Sequence, residues 1–294
     1  MSSATYYVPE ESRWPILASV ALFLMAFGAG SLLNALSAEA GGGAGMVTLL
    51  IGALLLGLIL VGWFGHVIKE SQAGMYSAQM DRSFRWGMGW FIFSEVMFFA
   101  AFFGALFYVR TLAVPWLGGE GAKGAANMLW PGFEATWPLL QTPDMELFPG
   151  PQAIIDPWHV PLLNTVLLVT SSVTVTFAHK ALKRDNRGAI KLWLLATILL
   201  GIVFVYFQGL EYAEAYNELG LTLQAGIYGA TFFILTGFHG VHVTLGTFML
   251  IIIWLRILKG HFDSEKHFGF EAVAWYWHFV DVVWIGLFLF VYVF

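Results

Sequence analysis

Seven blocks of about twenty apolar residues run along the chain, at about 15–36, 46–68, 86–109, 161–181, 190–212, 225–255 and 272–294, with polar and charged stretches between them. At 1.5 Å per helical residue, roughly 20 residues cross a hydrocarbon core about 30 Å thick. The pattern predicts an all-α, polytopic membrane protein with seven transmembrane helices in one transmembrane domain over 1–294, and no separate soluble module. Gly41 to Gly45 reads as a short flexible connector that makes spans one and two a hairpin. The connector at about 113–160 is the one long loop. It carries Pro115, Pro131, Pro138, Pro143, Pro149, Pro151 and Pro157 with several Trp, and reads as an ordered cap on the surface. A small-residue tract near Ala38 and Ala40 raises the alternative of a cleaved signal peptide. The run from Pro15 to Leu36 has 22 residues, longer than an h-region of about 7 to 15, so it reads as a retained span. No internal repeat suggests an inverted-repeat transporter.

Composition sharpens this picture. Of 294 residues 59% are hydrophobic and 11% charged, against about 25% charged in a soluble domain. Cysteine is absent, which excludes disulfides, thiolate metal sites, iron–sulfur clusters and covalent haem attachment. No basic run suggests nucleic acid.

The charges are sorted by side. Arg13, Lys69, Arg82, Arg85, Lys180, Lys183, Arg184, Arg187, Lys191, Arg256, Lys259 and Lys266, 12 of the 14 cations, fall on one side of a seven-span topology. Only Arg110 and Lys123 fall on the other, where Glu39, Glu120, Glu134, Asp144, Glu146, Asp156, Glu211, Glu214 and Glu218 collect. By the positive-inside rule the N-terminus is cytoplasmic (or in the mitochondrial matrix), and an odd span count puts the C-terminus outside. Helix association in lipid depends on small residues, and Ala53 with Gly57, Ala100 with Gly104, and Gly226, Gly229, Gly237, Gly240 and Gly246 are the expected close-packing positions.

Few residues could carry chemistry. Glu95 lies near the middle of span three, where an ionised carboxylate costs several kcal/mol. It is therefore protonated or faces a polar partner, as a proton relay, an ion site, a lipid contact or a structural carboxyl. His278 and Asp281 share a face of span seven and could bond each other or a common partner. His239 and His242 have the same spacing in span six. Such ligands could in principle form a metal site or offer a haem ligand, but structural polar pairs are the reading preferred, with no metal. Glu211, Glu214 and Glu218, beside Tyr212 and Tyr216, read as the solvated outer end of span five. Lys69, Arg256, Lys259 and Lys266 stand at inner helix ends, where they can meet lipid phosphate, with Trp63 and Trp254 near the same interface.

Four stretches carry a family resemblance: Phe91 to Phe99 (FIFSEVMFF), Val160 to Thr165 (VPLLNT), Phe232 to His242 (FFILTGFHGVH) and His267 to Trp284 (HFGFEAVAWYWHFVDVVW). They resemble cytochrome c oxidase subunit III, from about Trp14 to the C-terminus. The resemblance implies an accessory subunit of a proton-pumping, oxygen-reducing oxidase, with helices 1–2 splayed from a bundle of helices 3–7. It implies no redox centre in this chain, haem a and copper in the partner subunits, catalytic subunit I and subunit II as neighbours, and cytochrome c as donor to the complex. It also implies phospholipid in the cleft, with Trp63, Lys69, Glu70, Arg256 and His261 as head-group contacts. Glu95 matches the family's intramembrane carboxylate, which supports proton uptake and limits turnover-linked inactivation. The tail Tyr6 to Pro9 lacks the histidines of mitochondrial members, the 113–160 loop is long, Lys69 stands where Arg is frequent, and Lys180 follows His179 where a second His is frequent. These departures point to a bacterial inner (plasma) membrane rather than a mitochondrial one. Lys at 69 also changes the lipid geometry, since Lys meets phosphate as a point charge and Arg as a fork. The competing readings are subunit III of a quinol oxidase, whose members usually lack the first two helices, a proton carrier in its own right, and a membrane metalloenzyme using His239, His242, His278 and Asp281.

Overall fold

The computed structural model describes residues 12–38, 41–121 and 124–294; the tail Tyr6 to Pro9, Glu39, Ala40 and Lys123 lie outside the described residues. Seven long helices in it are apolar enough to cross a membrane. They are α1 (Trp14–Ser37), α2 (Gly43–Gln72), α3 (Ala78–Tyr108), α6 (Val160–Lys183), α7 (Arg187–Asn217), α8 (Gly226–Leu258) and α9 (Phe268–Leu287), with the short helices α4 (Val114–Leu117) and α5 (Ala126–Leu129) between α3 and α6. Most run several residues past the hydropathic blocks, because backbone hydrogen bonding continues through charged residues after hydropathy has fallen. By contacts the chain divides into two compact units, Met1–Phe84 and Arg85–Phe294.

In the first unit α1 and α2 form a hairpin bedded on glycine. A Cβ built on Gly45 would lie 2.5 Å from Leu32 N, one on Gly52 would lie 2.8 Å from Met25 N, and one on Gly28 would collide with the Leu49 backbone. The backbones touch at these three positions. The expected small-residue pairs do not do this work: a Cβ at Gly57, or at Gly104 in the second unit, would meet nothing within 4 Å among the described residues. Spacing alone does not say which helix face meets protein, and these glycines face away from it.

In the second unit α9 is the central helix, its apolar window 61% buried. Trp277 rests on two glycines, with its ring 2.8 Å from the Cβ position of Gly201 on α7 and 2.9 Å from that of Gly246 on α8. Its indole N–H donates to Ser171 Oγ at 2.9 Å, and that of Trp284 donates to Thr165 Oγ1 at 2.9 Å. These indole bonds lock α9 to α6, because a buried Trp needs an acceptor. α3 is held differently, through rings: Phe98 and Phe102 meet Phe238 of α8 at 5.0 and 5.3 Å, and Phe99 meets Phe279 of α9 at 6.1 Å. A π-helical turn, Val109–Ala113, carries α3 into α4, and a second, Phe288–Val293, ends the chain after α9. The connector before α6 is folded: Leu139, Thr142 and Ile155 are buried, Trp137 packs on Tyr228 at 5.5 Å, and Gln152 N donates to Leu219 O at 2.9 Å.

Candidate functional site

Glu95 has a partner 147 residues away. Its Oε2 lies 2.9 Å from His242 Nε2, and the side chains are 21% and 15% exposed, so the pair is largely withdrawn from solvent. The other ring nitrogen, Nδ1, is 2.6 Å from the Phe238 carbonyl one turn back. A carbonyl can only accept, so Nδ1 carries a hydrogen and Nε2 is the nitrogen turned to the carboxyl. One proton between Oε2 and Nε2 makes the pair either carboxyl–imidazole or carboxylate–imidazolium, and it is neutral in both forms. Phe99 and Tyr276 close over the imidazole, with centroids at 5.1 and 6.3 Å.

Neither spacing-based pair is bonded within itself. His239 does not bond His242; it is 1% exposed, lies between Phe204 and Trp284, and its Nε2 reaches the Val280 carbonyl at 3.2 Å. His278 does not bond Asp281; its Nδ1 meets Ser172 Oγ at 2.6 Å, and its Nε2 is 3.4 Å from Thr176 Oγ1. Asp281, 5% exposed, faces Ser172 as well, so the two residues share that neighbour rather than bonding each other. A residue three positions on lies about 60° round a helix, which for His239 and His242 is enough to aim the two side chains at different neighbours.

Glu211 overturns the expectation of a solvated helix end. It is 0% exposed, while Glu214 and Glu218 are exposed. Its Oε1 accepts from Tyr292 Oη at 2.6 Å and from Gln208 Nε2 at 3.3 Å. The final π-helical turn carries Tyr292, and an α-helical reading of the sequence does not anticipate that phase.

The residues expected to meet lipid are placed as follows. In the first unit Trp63 is partly buried, Lys69 is exposed, and Glu70 accepts from Tyr76 Oη at 2.7 Å and lies 3.2 Å from His66 Nε2. In the second, the Arg256 guanidinium sits 4.2 Å above the Phe262 ring. His261 follows in the α8–α9 turn, where desolvation and then the charges of Arg256 and Lys259 hold its pKa below the usual histidine value.

Sequence reasoning missed a cluster at the same end of the second unit. Glu271 Oε2 pairs with Arg85 Nη1, while its Oε1 lies 3.3 Å from His179 Nε2 and 3.2 Å from His267 Nε2. Among the described residues this is the one group of three or more His, Cys, Asp or Glu whose ligand atoms come within 4.8 Å of one another. The available signal was His267 and Glu271 four apart at the start of a helix, hence on one face. Nothing in the sequence brings His179 to them.

A family model described as Cytochrome c oxidase subunit III matches residues 4–142 and 125–294. The chain is 38% identical over 295 residues to a cytochrome c oxidase subunit 3 from Prototheca wickerhamii, covering 99% of this chain and 98% of that one. It is 38% identical to the protein of that name from Oncorhynchus mykiss and 39% to the one from Squalus acanthias, each over 288 residues, 98% of this chain and 96% of theirs.

Proposed function

The chain belongs to the cytochrome c oxidase subunit III family, and we propose that it works as an accessory subunit without a redox centre of its own, in a proton-pumping oxidase that reduces oxygen to water. It is a multi-pass membrane subunit of an oxidoreductase complex. The proposed neighbours are catalytic subunit I, which would hold haem a and copper, and subunit II, with cytochrome c as donor and phospholipid bound by Trp63, Lys69, Glu70, Arg256 and His261. The cation sorting supports an N-terminus on the inner side and a C-terminus on the outer side, and the departures at Tyr6 to Pro9, Lys69 and Lys180 support a bacterial inner membrane as the place.

The observation that carries a part in proton uptake is the pairing of Glu95 with His242. A buried structural carboxyl needs only a donor, whereas this one faces an imidazole nitrogen that can also accept a proton, across 2.9 Å in the middle of a span. Such a pair can take a proton from one side and pass it on with little rearrangement. Its neutrality in the resting state makes it tolerable in a membrane.

Glu95→Gln tests this. The amide N–H₂ can donate to Nε2, so the packing survives while the exchangeable proton is lost. In the purified complex the substitution should leave subunit stoichiometry unchanged and lower the rate of proton uptake or shorten the number of turnovers before inactivation. Wild-type values in both assays would return Glu95 to a purely structural role.

The metalloenzyme alternative built on His239, His242, His278 and Asp281 loses support, because the three imidazoles turn respectively to Val280, to Phe238 and Glu95, and to Ser172 rather than to a common point.

A further inference from the structure

We propose that His179, His267 and Glu271 form a binding site for a divalent transition metal, Zn²⁺ above all, at the end of the second unit where α6 finishes and α9 begins. The site is separate from the Glu95–His242 pair and does not depend on the oxidase reading.

The argument starts from which atoms face each other. His267 Nδ1 lies 3.1 Å from the Asp263 carbonyl, so that nitrogen carries a hydrogen and Nε2 is the nitrogen turned to the cluster. This Nε2 lies 3.2 Å from Glu271 Oε1. His179 Nε2 approaches the same oxygen at 3.3 Å. His267 is 7% exposed and Glu271 8%, and the buried Nε2 of His267 has no hydrogen-bond partner among the described residues. Two imidazole nitrogens and a carboxylate oxygen thus converge on one point where water is scarce, an arrangement that a shared cation satisfies.

The spacing suits a metal. Ligands bound tetrahedrally at about 2.0–2.1 Å stand roughly 3.3 Å apart, which the 3.2 and 3.3 Å separations match. Two imidazoles and a carboxylate are a donor set zinc takes, with a fourth position left for water. The outer-shell contacts that orient such ligands are present as well: the Asp263 carbonyl fixes the tautomer of His267, and Arg85 occupies Glu271 Oε2, leaving Oε1 as the single donor oxygen. His179 keeps 24% of its side chain exposed, which gives an ion a way in. The positive charges of Arg85 and Lys183 oppose a dication. The site is therefore reversible, and an ion in it would tie the end of α6 to the start of α9.

The test uses the full chain, purified in detergent and stripped with chelator, with Zn²⁺ alone as probe in competition with a chromophoric chelator and Co²⁺ as spectroscopic reporter. The wild type should take up one Zn²⁺ per chain. Its X-ray absorption should show two imidazoles with oxygen donors, and Co²⁺ should give the visible bands of a tetrahedral site. His179→Gln should weaken binding roughly tenfold or more, while His66→Gln and His159→Gln leave it unchanged. Glu271→Gln removes the carboxylate that pairs with Arg85 and risks misfolding, so the partly exposed His179 carries the decision. A wild-type chain that binds no Zn²⁺, as expected if the cluster holds only a shared proton, overturns the proposal. So does affinity that is undiminished in His179→Gln.

Discussion

Single side chains in this protein are decided by what a helix neighbour offers across the gap, and the sequence conceals most of those neighbours. Glu211 shows the energetic stakes. Its Oε2 is buried without a partner, so the 2.6 Å bond from Tyr292 to Oε1 is its main satisfaction. Tyr292→Phe keeps the ring and removes the donor, which should cost about 1–3 kcal/mol by the usual penalty for a stranded buried acceptor. Tyr206→Phe, at a position 62% exposed, is the control. Thermal unfolding in detergent should show a lower midpoint for the first and none of that loss for the second; equal midpoints would refute the role given to Tyr292. Glu95 stood out in the sequence because a lone acid amid phenylalanines is conspicuous. His242 stood out too, yet nothing linked the two, because pairing across 147 positions is a property of the packed helices. The His179–His267–Glu271 cluster was illegible for the same reason.

At the scale of the helix, sequence and structure agree on where the spans lie and differ on which faces matter. A run of apolar residues marks a span almost regardless of its partners, so the seven blocks survive as helices with their ends extended. Glycine spacing is weaker information. Gly57 looked like a packing position and meets nothing, whereas Gly28, Gly45 and Gly52 bring the two backbones of the hairpin together. Gly28→Val should therefore push α1 from α2, at a cost of about 1–3 kcal/mol for overpacking, and Gly57→Ala should be neutral or slightly stabilising. With no native cysteine, spin labels on cysteines introduced at the exposed Leu22 and Leu54 report the separation cleanly. A wider distance in Gly28→Val alone is the expected result, and an unchanged one would show that the hairpin is not set by this contact. The π-helical turn at Phe288–Val293 was likewise out of reach, since hydropathy carries no trace of one extra residue per turn.

For the molecule as a whole, the number of spans was the most legible property, because length and hydropathy each constrain it separately, and seven long apolar helices stand where the blocks were. Function was legible only through the motif resemblance, and whole-length similarity to cytochrome c oxidase subunit 3 sequences places the chain in that family. A tagged copy purified from its native membrane should bring down partners whose reduced-minus-oxidised spectrum contains haem a. A preparation free of haem and copper would sink the proposed role. The glycine-bedded hairpin of the first unit sets a further expectation, about temperature. Drawing α1 from α2 within a bilayer uncovers their facing surfaces to acyl chains, not to water. The large positive heat capacity of exposing apolar groups to water is then missing. The free energy of that separation should change almost linearly on heating, without the domed curve and low-temperature weakening of a water-soluble fold.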